Sequence, residues 1–307
     1  MFFYSFVLPA YKAGFFKQAI QSILDQSYTN FELIIVDDAS PENLFNIVQE
    51  FDDPRIRFYK NEKNLGGISL VQQWNHCINY AKGDYLILAA DDDLYRPSFL
   101  EEVNKLAIKY PDVDLIRSRV EIINERDELI GMDGVTPEFT SKYQYLYYWL
   151  NATVFTCIGN YVFKTSAIRE KKFIDFPCAF GSDTASTIQM STAGVAHTAD
   201  MLFKFRISTI HLSSNKGKLD EKLDANNQLF HWFKKLNYEK PNDPIDNYCW
   251  QHTQWSHFYA KYKYDCYNLV IKYLPIKQLG TIDKCNLLST KDKLFMLLRY
   301  GKDKIMK

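Results

Sequence analysis

Short apolar runs alternate with amphipathic stretches over the first 110 residues. Tyr4–Leu8 is an apolar strand stopped by Pro9, and Phe15–Leu24 sets Phe15/Phe16, Ala19/Ile20 and Ile23/Leu24 at helical intervals. The same alternation predicts a strand over Glu32–Val36, a helix over Pro41–Phe51 and a strand over Ile56–Tyr59. It continues with a helix over Ser69–Ala81, a strand over Tyr85–Ala90 and a helix over Ser98–Tyr110. Strands alternating with helices through short connections predict an α/β fold on a mainly parallel sheet with right-handed crossovers. After Pro111 the pattern mixes: strands at Asp114–Ile123 and Ile158–Phe163, helices at Ser141–Leu150 and Asp183–Met190, and a partly extended Val195–Ile207. Beyond about Ser214 the pattern is helical, over Asp220–Leu236, Asp246–Leu274 and Lys291–Arg299.

Charge placement sharpens the picture. Tyr85–Ala90 carries no charge, and Asp91, Asp92 and Asp93 follow at once. The strand over Glu32–Val36 likewise ends in Asp37 and Asp38. In a parallel sheet both acidic groups fall on one edge, the carboxyl ends of the strands, where open α/β sheets bind ligands. Three carboxylates there are costly unless water, a cation or basic groups meet them, which points to a divalent-metal site facing a polyanion. A solvated turn or a helix cap is the plainer explanation of the same residues.

Composition limits the class. A hydrophobic share of 47% with 16% aromatics suits a sizeable core and excludes disorder. No apolar stretch approaches the roughly 20 residues that cross a bilayer. Met1–Pro9 lacks a basic leader and a small-residue cleavage site, so a first strand is expected rather than a signal peptide. Six cysteines without close pairing or metal-ligand spacing suggest reduced, mostly packing thiols in a cytoplasmic protein. The formal net charge is zero, yet Lys261–Lys307 holds eleven Lys/Arg against four Asp/Glu, a net of +7 that leaves −7 for the rest. A basic, aromatic-laced end predicts attraction to an anionic surface, an anionic membrane for instance, or else a helical cap with a solvated basic side. No nucleic-acid partner is expected.

Several blocks then carry a resemblance. Phe6-Val7-Leu8-Pro9-Ala10-Tyr11, Ala19–Tyr28, Phe31–Ser40, Lys63-Asn64-Leu65-Gly66-Gly67 and Ala81–Tyr85 resemble family 2 glycosyltransferases, in that family's order. The resemblance is specific over the first 100 residues, weakens towards residue 210 and gives out in the C-terminal helices. It implies a GT-A fold: a catalytic domain over 1–215, with a nucleotide-binding half (1–110) and an acceptor half (111–215), then a helical region over 216–307. It also implies a nucleotide-sugar donor, Mg2+ or Mn2+, and inversion at the anomeric carbon. The expected acceptor is a glycan or lipid-linked hydroxyl at the cytoplasmic face, in surface polysaccharide synthesis.

Carried over residue by residue, the resemblance gives Pro9, Ala10 and Tyr11 to the nucleoside and Asp38 to uracil N3–H, with Asn64 and Gly66 in the same site. At the acidic triplet two registers compete. Alignment on Tyr85 and Pro97 puts the family's first Asp on Ala90 and its metal ligand on Asp92, with Asp91 near the ribose. A free-standing D-x-D pattern would use Asp91 and Asp93. Asp92 is favoured as the direct ligand, with Asp93 and His211 as further metal candidates. Phe180-Gly181-Ser182-Asp183 matches the place where relatives open a helix with the catalytic base, and a helix N-terminus favours the ionised carboxylate. Asp175 and Asp200 are weaker rivals. Arg206 falls where relatives set an arginine near the diphosphate, although its spacing to His211 is wider than usual.

Other classes fit less well. A nucleotidyltransferase shares the α/β core but usually carries a Gly-rich phosphate loop, which Pro9–Gly14 does not resemble. A Rossmann oxidoreductase lacks its G-x-G-x-x-G after the first strand. A non-catalytic binding module would be expected to lose acids, yet Asp38, Asp92 and Asp183 all stand.

Overall fold

The computed structural model describes residues 1–208 and 218–305. Its centre is a sheet of parallel strands β1 (Tyr4–Ala10), β2 (Phe31–Asp37), β3 (Ile56–Lys60) and β4 (Tyr85–Leu88), in the order β3-β2-β1-β4. Between them run helices α1 (Phe16–Leu24), α2 (Leu44–Val48) and α3 (Leu70–Cys77). Side chains alternate faces along these strands. Phe6, Leu8, Leu33, Ile35 and Ile87 therefore join one core, over α1. Val7, Ile34, Val36, Leu86 and Leu88 join the other, over α3. Burial on both faces explains why these strands are continuous apolar runs rather than alternating ones.

The sheet then turns mixed. After β5 (Leu94–Tyr95) and α4 (Phe99–Lys109) come β6 (Leu115–Ile123), β7 (Leu129–Met132), β8 (Phe139–Thr140) and helix α5 (Lys142–Leu150). Strand β9 (Tyr161–Lys164) is antiparallel to both β4 and β6, and β10 (Val195–Arg206) runs parallel to β6, with β5 antiparallel at the far edge. Helices α6 (Thr165–Lys171) and α7 (Ser182–Met190) lie between β9 and β10. This is the expected α/β architecture: a mainly parallel sheet flanked by helices and extended by C-terminal helices.

Those last helices are α8 (Leu219–Lys235), α9 (Pro244–Gln251), α10 (Trp255–Tyr273) and α11 (Thr290–Ile305). Leu223, Phe230, Tyr262 and Met296 belong to the same core cluster as Val7 and Leu86, so described residues beyond 216 share one hydrophobic core with the sheet.

Two expectations shift, and four short elements add to those expected. The helix expected over Pro41–Phe51 shrinks to α2, because Glu42 is held in the preceding turn: its N–H donates to Ser40 Oγ at 3.0 Å and its carboxylate accepts from the Ala13 N–H. The single helix expected over Asp246–Leu274 is broken, and Thr253 Oγ1 donates back to the Cys249 carbonyl at 2.9 Å across the break. Strands β5, β7 and β8 and helix α6 are too short to leave a periodic signal in sequence.

Candidate active site

Three turns meet at the carboxyl edge of β1, β2 and β4, and side-chain oxygens stitch them together. Asp91 Oδ2 accepts from the Tyr11 and Lys12 N–H groups, at 3.0 and 2.9 Å, joining the turn after β4 to the turn after β1. Ser40 Oγ donates to the Tyr11 carbonyl at 2.6 Å, joining the turn after β2. In that turn Asp37 Oδ1 accepts from the Ser40 N–H at 2.7 Å, closing a bend in which Ala39 sits at φ 53°. Pro9 and Ala10 are the last two residues of β1, and Tyr11 presents an exposed ring beside them.

Asp38 is buried under a loop that it organises. Its Oδ1 accepts from Asn61 Nδ2 at 2.7 Å and from the Leu65 N–H at 2.9 Å; its Oδ2 accepts from the Gly66 N–H at 2.7 Å. A Cβ on residue 66 would lie 2.9 Å from that same Oδ2, so only glycine lets the backbone come this close. Asn64 closes the loop by accepting the Gly67 N–H at 2.5 Å. Asn61, absent from the sequence-level candidates, is thus a working part of this turn.

The acidic triplet lies between β4 and β5, and its three members have different surroundings. Asp91 faces the β1 turn. Asp93 is buried and its Oδ1 accepts from the Arg206 N–H at 2.9 Å. Asp92 lies between them, and among the described residues no donor from another residue reaches its carboxylate. Burial, and then the charge of Asp91, pushes the Asp92 carboxyl up to about 6. Burial also raises Asp91, and burial with the Asp92 charge holds Asp93 well above the usual carboxylate range.

Arg206, assigned from sequence to the diphosphate, is fully buried beneath the triplet. Its Nε donates to the Asp92 carbonyl at 2.8 Å, Nη1 to the Asn124 carbonyl at 3.2 Å and to Asp127 Oδ1 at 2.5 Å, and Nη2 to Gln18 Oε1 at 3.2 Å. The guanidinium carbon sits 4.1 Å from the Phe15 ring centroid. Here it acts as a clamp on the acidic turn. Substituting Arg206 with Met should cost about 3 kcal/mol in urea unfolding, since the Asp92 and Asn124 carbonyls lose their charged donor. A loss under about 1 kcal/mol would show that these carbonyls find water instead. His211, the other candidate of this segment, lies outside the described residues.

Asp183 stands in the first turn of α7, after Gly181 at φ 80°. Gly181 is required twice over, by that φ and because a Cβ would meet Leu229 of α8 at 2.9 Å. The irregular stretch before α7 is tied to it: Ser182 Oγ accepts from the Phe176 N–H at 3.0 Å and Ser186 Oγ from the Ile174 N–H at 2.9 Å. Asp183 Oδ1 accepts from its neighbour, the Thr184 N–H, at 2.7 Å, and burial raises its carboxyl to about 6. Its rival Asp175 is occupied by Ser69 Oγ at 2.8 Å, and Asp200 is exposed in β10. The buried Cys157 thiol is pushed up by burial and by the charges of both Asp93 and Asp183, so both carboxylates lie within electrostatic reach of one thiol. Sequence gave no signal for Cys157, nor for the buried Arg117–Asp133 pair that holds the segment before it through the Phe155 N–H and carbonyl.

The comparison with known families decides the assignment. Residues 5–170 match the model described as Glycosyl transferase family 2, more than half of the chain. The chain belongs to that family. Among curated relatives, glycosyltransferase GlyG of Streptococcus pneumoniae is 33% identical over 115 residues, covering 36% of this chain and 37% of its own. Escherichia coli WfgD, named as a UDP-Glc:alpha-D-GlcNAc-diphosphoundecaprenol beta-1,3-glucosyltransferase, is 30% identical over 128 residues, covering 41% of this chain and 49% of its own. The chain therefore spans between a third and a half of the length of these two relatives. Among solved structures, S. aureus TarS in complex with UDP superposes with a TM-score of 0.68 at 13% identity, covering 92% of this chain and 78% of that one. The mannosyltransferase PcManGT of Pyrobaculum calidifontis, in complex with GDP-Man and Mn2+, gives 0.56 at 15%, covering 97% and 84%. At such identities the structural likeness concerns the fold. Among the described residues of this family member no helix is long and apolar enough to cross a membrane, and no three His, Cys, Asp or Glu gather round a point that could hold a metal.

Proposed function

We propose that this chain is an inverting, metal-dependent glycosyltransferase. It moves a sugar from a UDP-sugar to a hydroxyl of a glycan or lipid-linked oligosaccharide, in surface polysaccharide synthesis at the cytoplasmic face of the membrane. The observation that supports this best is the division of labour at one sheet edge. Asp91 and Asp93 are engaged in holding turns, Asp92 accepts from no other residue among those described, and Asp183 shares with Asp93 the buried Cys157 as an electrostatic neighbour.

Each residue has a physical role in this reading. Tyr11 offers a ring face to the base, and the Asp38–Gly66 turn lines the nucleoside, with the Asp38 carboxylate as acceptor for uracil N3–H. Asp91 sits beside the ribose while fixing the β1 turn. The donor set at the triplet is all oxygen, and a half-buried carboxylate without a donor among the described residues suits a hard cation whose remaining ligands are diphosphate oxygens and water. Mg2+ or Mn2+ held by Asp92 would supply charge to the departing diphosphate. Asp183 takes the proton of the attacking hydroxyl while the new bond to the anomeric carbon forms and the bond to the diphosphate breaks on the opposite face, the electron pair leaving with the nucleotide. The UDP named for TarS and WfgD supports the choice of base; the diphosphoundecaprenol in the WfgD name supports a lipid-linked acceptor.

A thermal-shift panel of UDP-, GDP-, CDP- and dTDP-sugars, with Mn2+ and with chelator, tests this directly. UDP-sugars with Mn2+ should give the largest rise in Tm. A larger rise with GDP-sugars would move the donor assignment, and no response to any nucleotide sugar would remove it.

A further inference from the structure

Helix α11 turns an apolar stripe away from the protein. Met296 and Tyr300, one turn apart, pack into the core, and the Tyr300 hydroxyl donates to the Leu274 carbonyl at 2.7 Å. On the opposite side Leu294, Phe295 and Leu298 are 58%, 58% and 63% exposed. Leu298 lies four residues from Leu294 and three from Phe295, so the three form one patch, and leaving three large apolar side chains in water costs free energy that a covering surface would return. Lys291 and Lys302 fall on the same helical face, one turn before and one turn after the patch, and Arg299 borders it.

Charge selects the occupant. A second copy meeting this patch across a two-fold axis would set Lys291 of one chain against Lys302 of the other, and like charges repel. An anionic lipid surface answers both features, taking the apolar side chains at the headgroup boundary and the cations against phosphates. The surrounding segment is suited to it, since Lys261–Lys307 carries a net of +7 while the rest of the chain is net acidic. We propose that α11 lies in the plane of an anionic membrane and docks the enzyme there. Its use rests on the lipid-linked acceptor proposed above, because docking confines enzyme and acceptor to one surface. The docking itself is a property of the helix and is measured without sugar transfer.

The test is flotation of the full-length chain with vesicles of phosphatidylcholine alone and of phosphatidylcholine mixed with phosphatidylglycerol. Binding is expected only to the mixed vesicles and should weaken as salt rises, since surface charges are screened. A Phe295→Asn/Leu298→Asn variant and a Lys291→Glu/Lys302→Glu variant should each lose on the order of tenfold in partition. All four side chains are exposed, so both variants should keep the wild-type Tm. Equal binding to neutral vesicles, or unchanged binding by both variants, would overturn the proposal. So would a dimer in light scattering that the Asn variant dissolves, because the patch would then be an interface between copies. A negative result leaves the glycosyltransferase reading untouched, because no step of the assay involves a sugar.

Discussion

Asp183→Asn is expected to lower the rate of sugar transfer by roughly 10²–10⁴-fold, the usual worth of a positioned general base. Donor affinity should change little, because the side chain serves the acceptor. The substitution keeps an oxygen able to accept the Thr184 N–H, so fold and helix start survive. The pH profile provides an independent readout. Only the ionised carboxylate takes a proton, and burial sets the Asp183 carboxyl at about 6. With Mn2+ and donor saturating, so that the Asp92 carboxyl, itself near 6, is held ionised, kcat of the wild type should therefore fall as pH drops through about 6, and that limb should vanish in Asp183→Asn. Transfer by the variant at near-wild-type rates would reduce Asp183 to a residue of the α7 first turn.

The second large effect is on nucleotide affinity. Asp92→Asn preserves shape and removes one negative charge from the turn. Groups that merely support a metal ligand are worth about 10–100-fold in metal affinity, and a direct ligand should be worth at least as much. UDP affinity in Mn2+, measured by calorimetry, is expected to fall at least about tenfold, towards the value the wild type shows in chelator. The Tm without ligand should hold or rise, since burial and Asp91 both disfavour the charge being removed. Unchanged UDP affinity would shift the metal assignment to Asp91 or Asp93.

Much of this was legible in sequence because buried parallel strands leave an unambiguous mark. Val7, Ile34, Leu86 and their neighbours are apolar on both faces, and the acids that follow fall on one edge by topology alone. The role proposed for Asp183 rests on resemblance, since nearly 90 residues separate it from the triplet and no periodic pattern links the two. What sequence could not supply was the use of each side chain. Nothing in a run of three aspartates tells which of them hold loops; that depends on the Tyr11 and Lys12 N–H groups and on Arg206, remote in the chain. Arg206 itself resembles a phosphate-binding arginine, and nothing in its sequence context shows that its backbone N–H and guanidinium reach Asp93, Asp92, Asn124, Asp127 and Gln18. Charge type and position are readable from sequence, whereas burial and hydrogen-bond direction arise only when distant turns meet.

The most direct test is a crystal grown with UDP and Mn2+, with anomalous data collected at the manganese edge. The expected result is one manganese peak in contact with the Asp92 carboxylate and the UDP diphosphate, with uracil against Asp38 and the Asn64–Gly66 turn. UDP bound at another edge of the sheet, or a manganese peak away from Asp92, would contradict the assignment of this turn as the donor site.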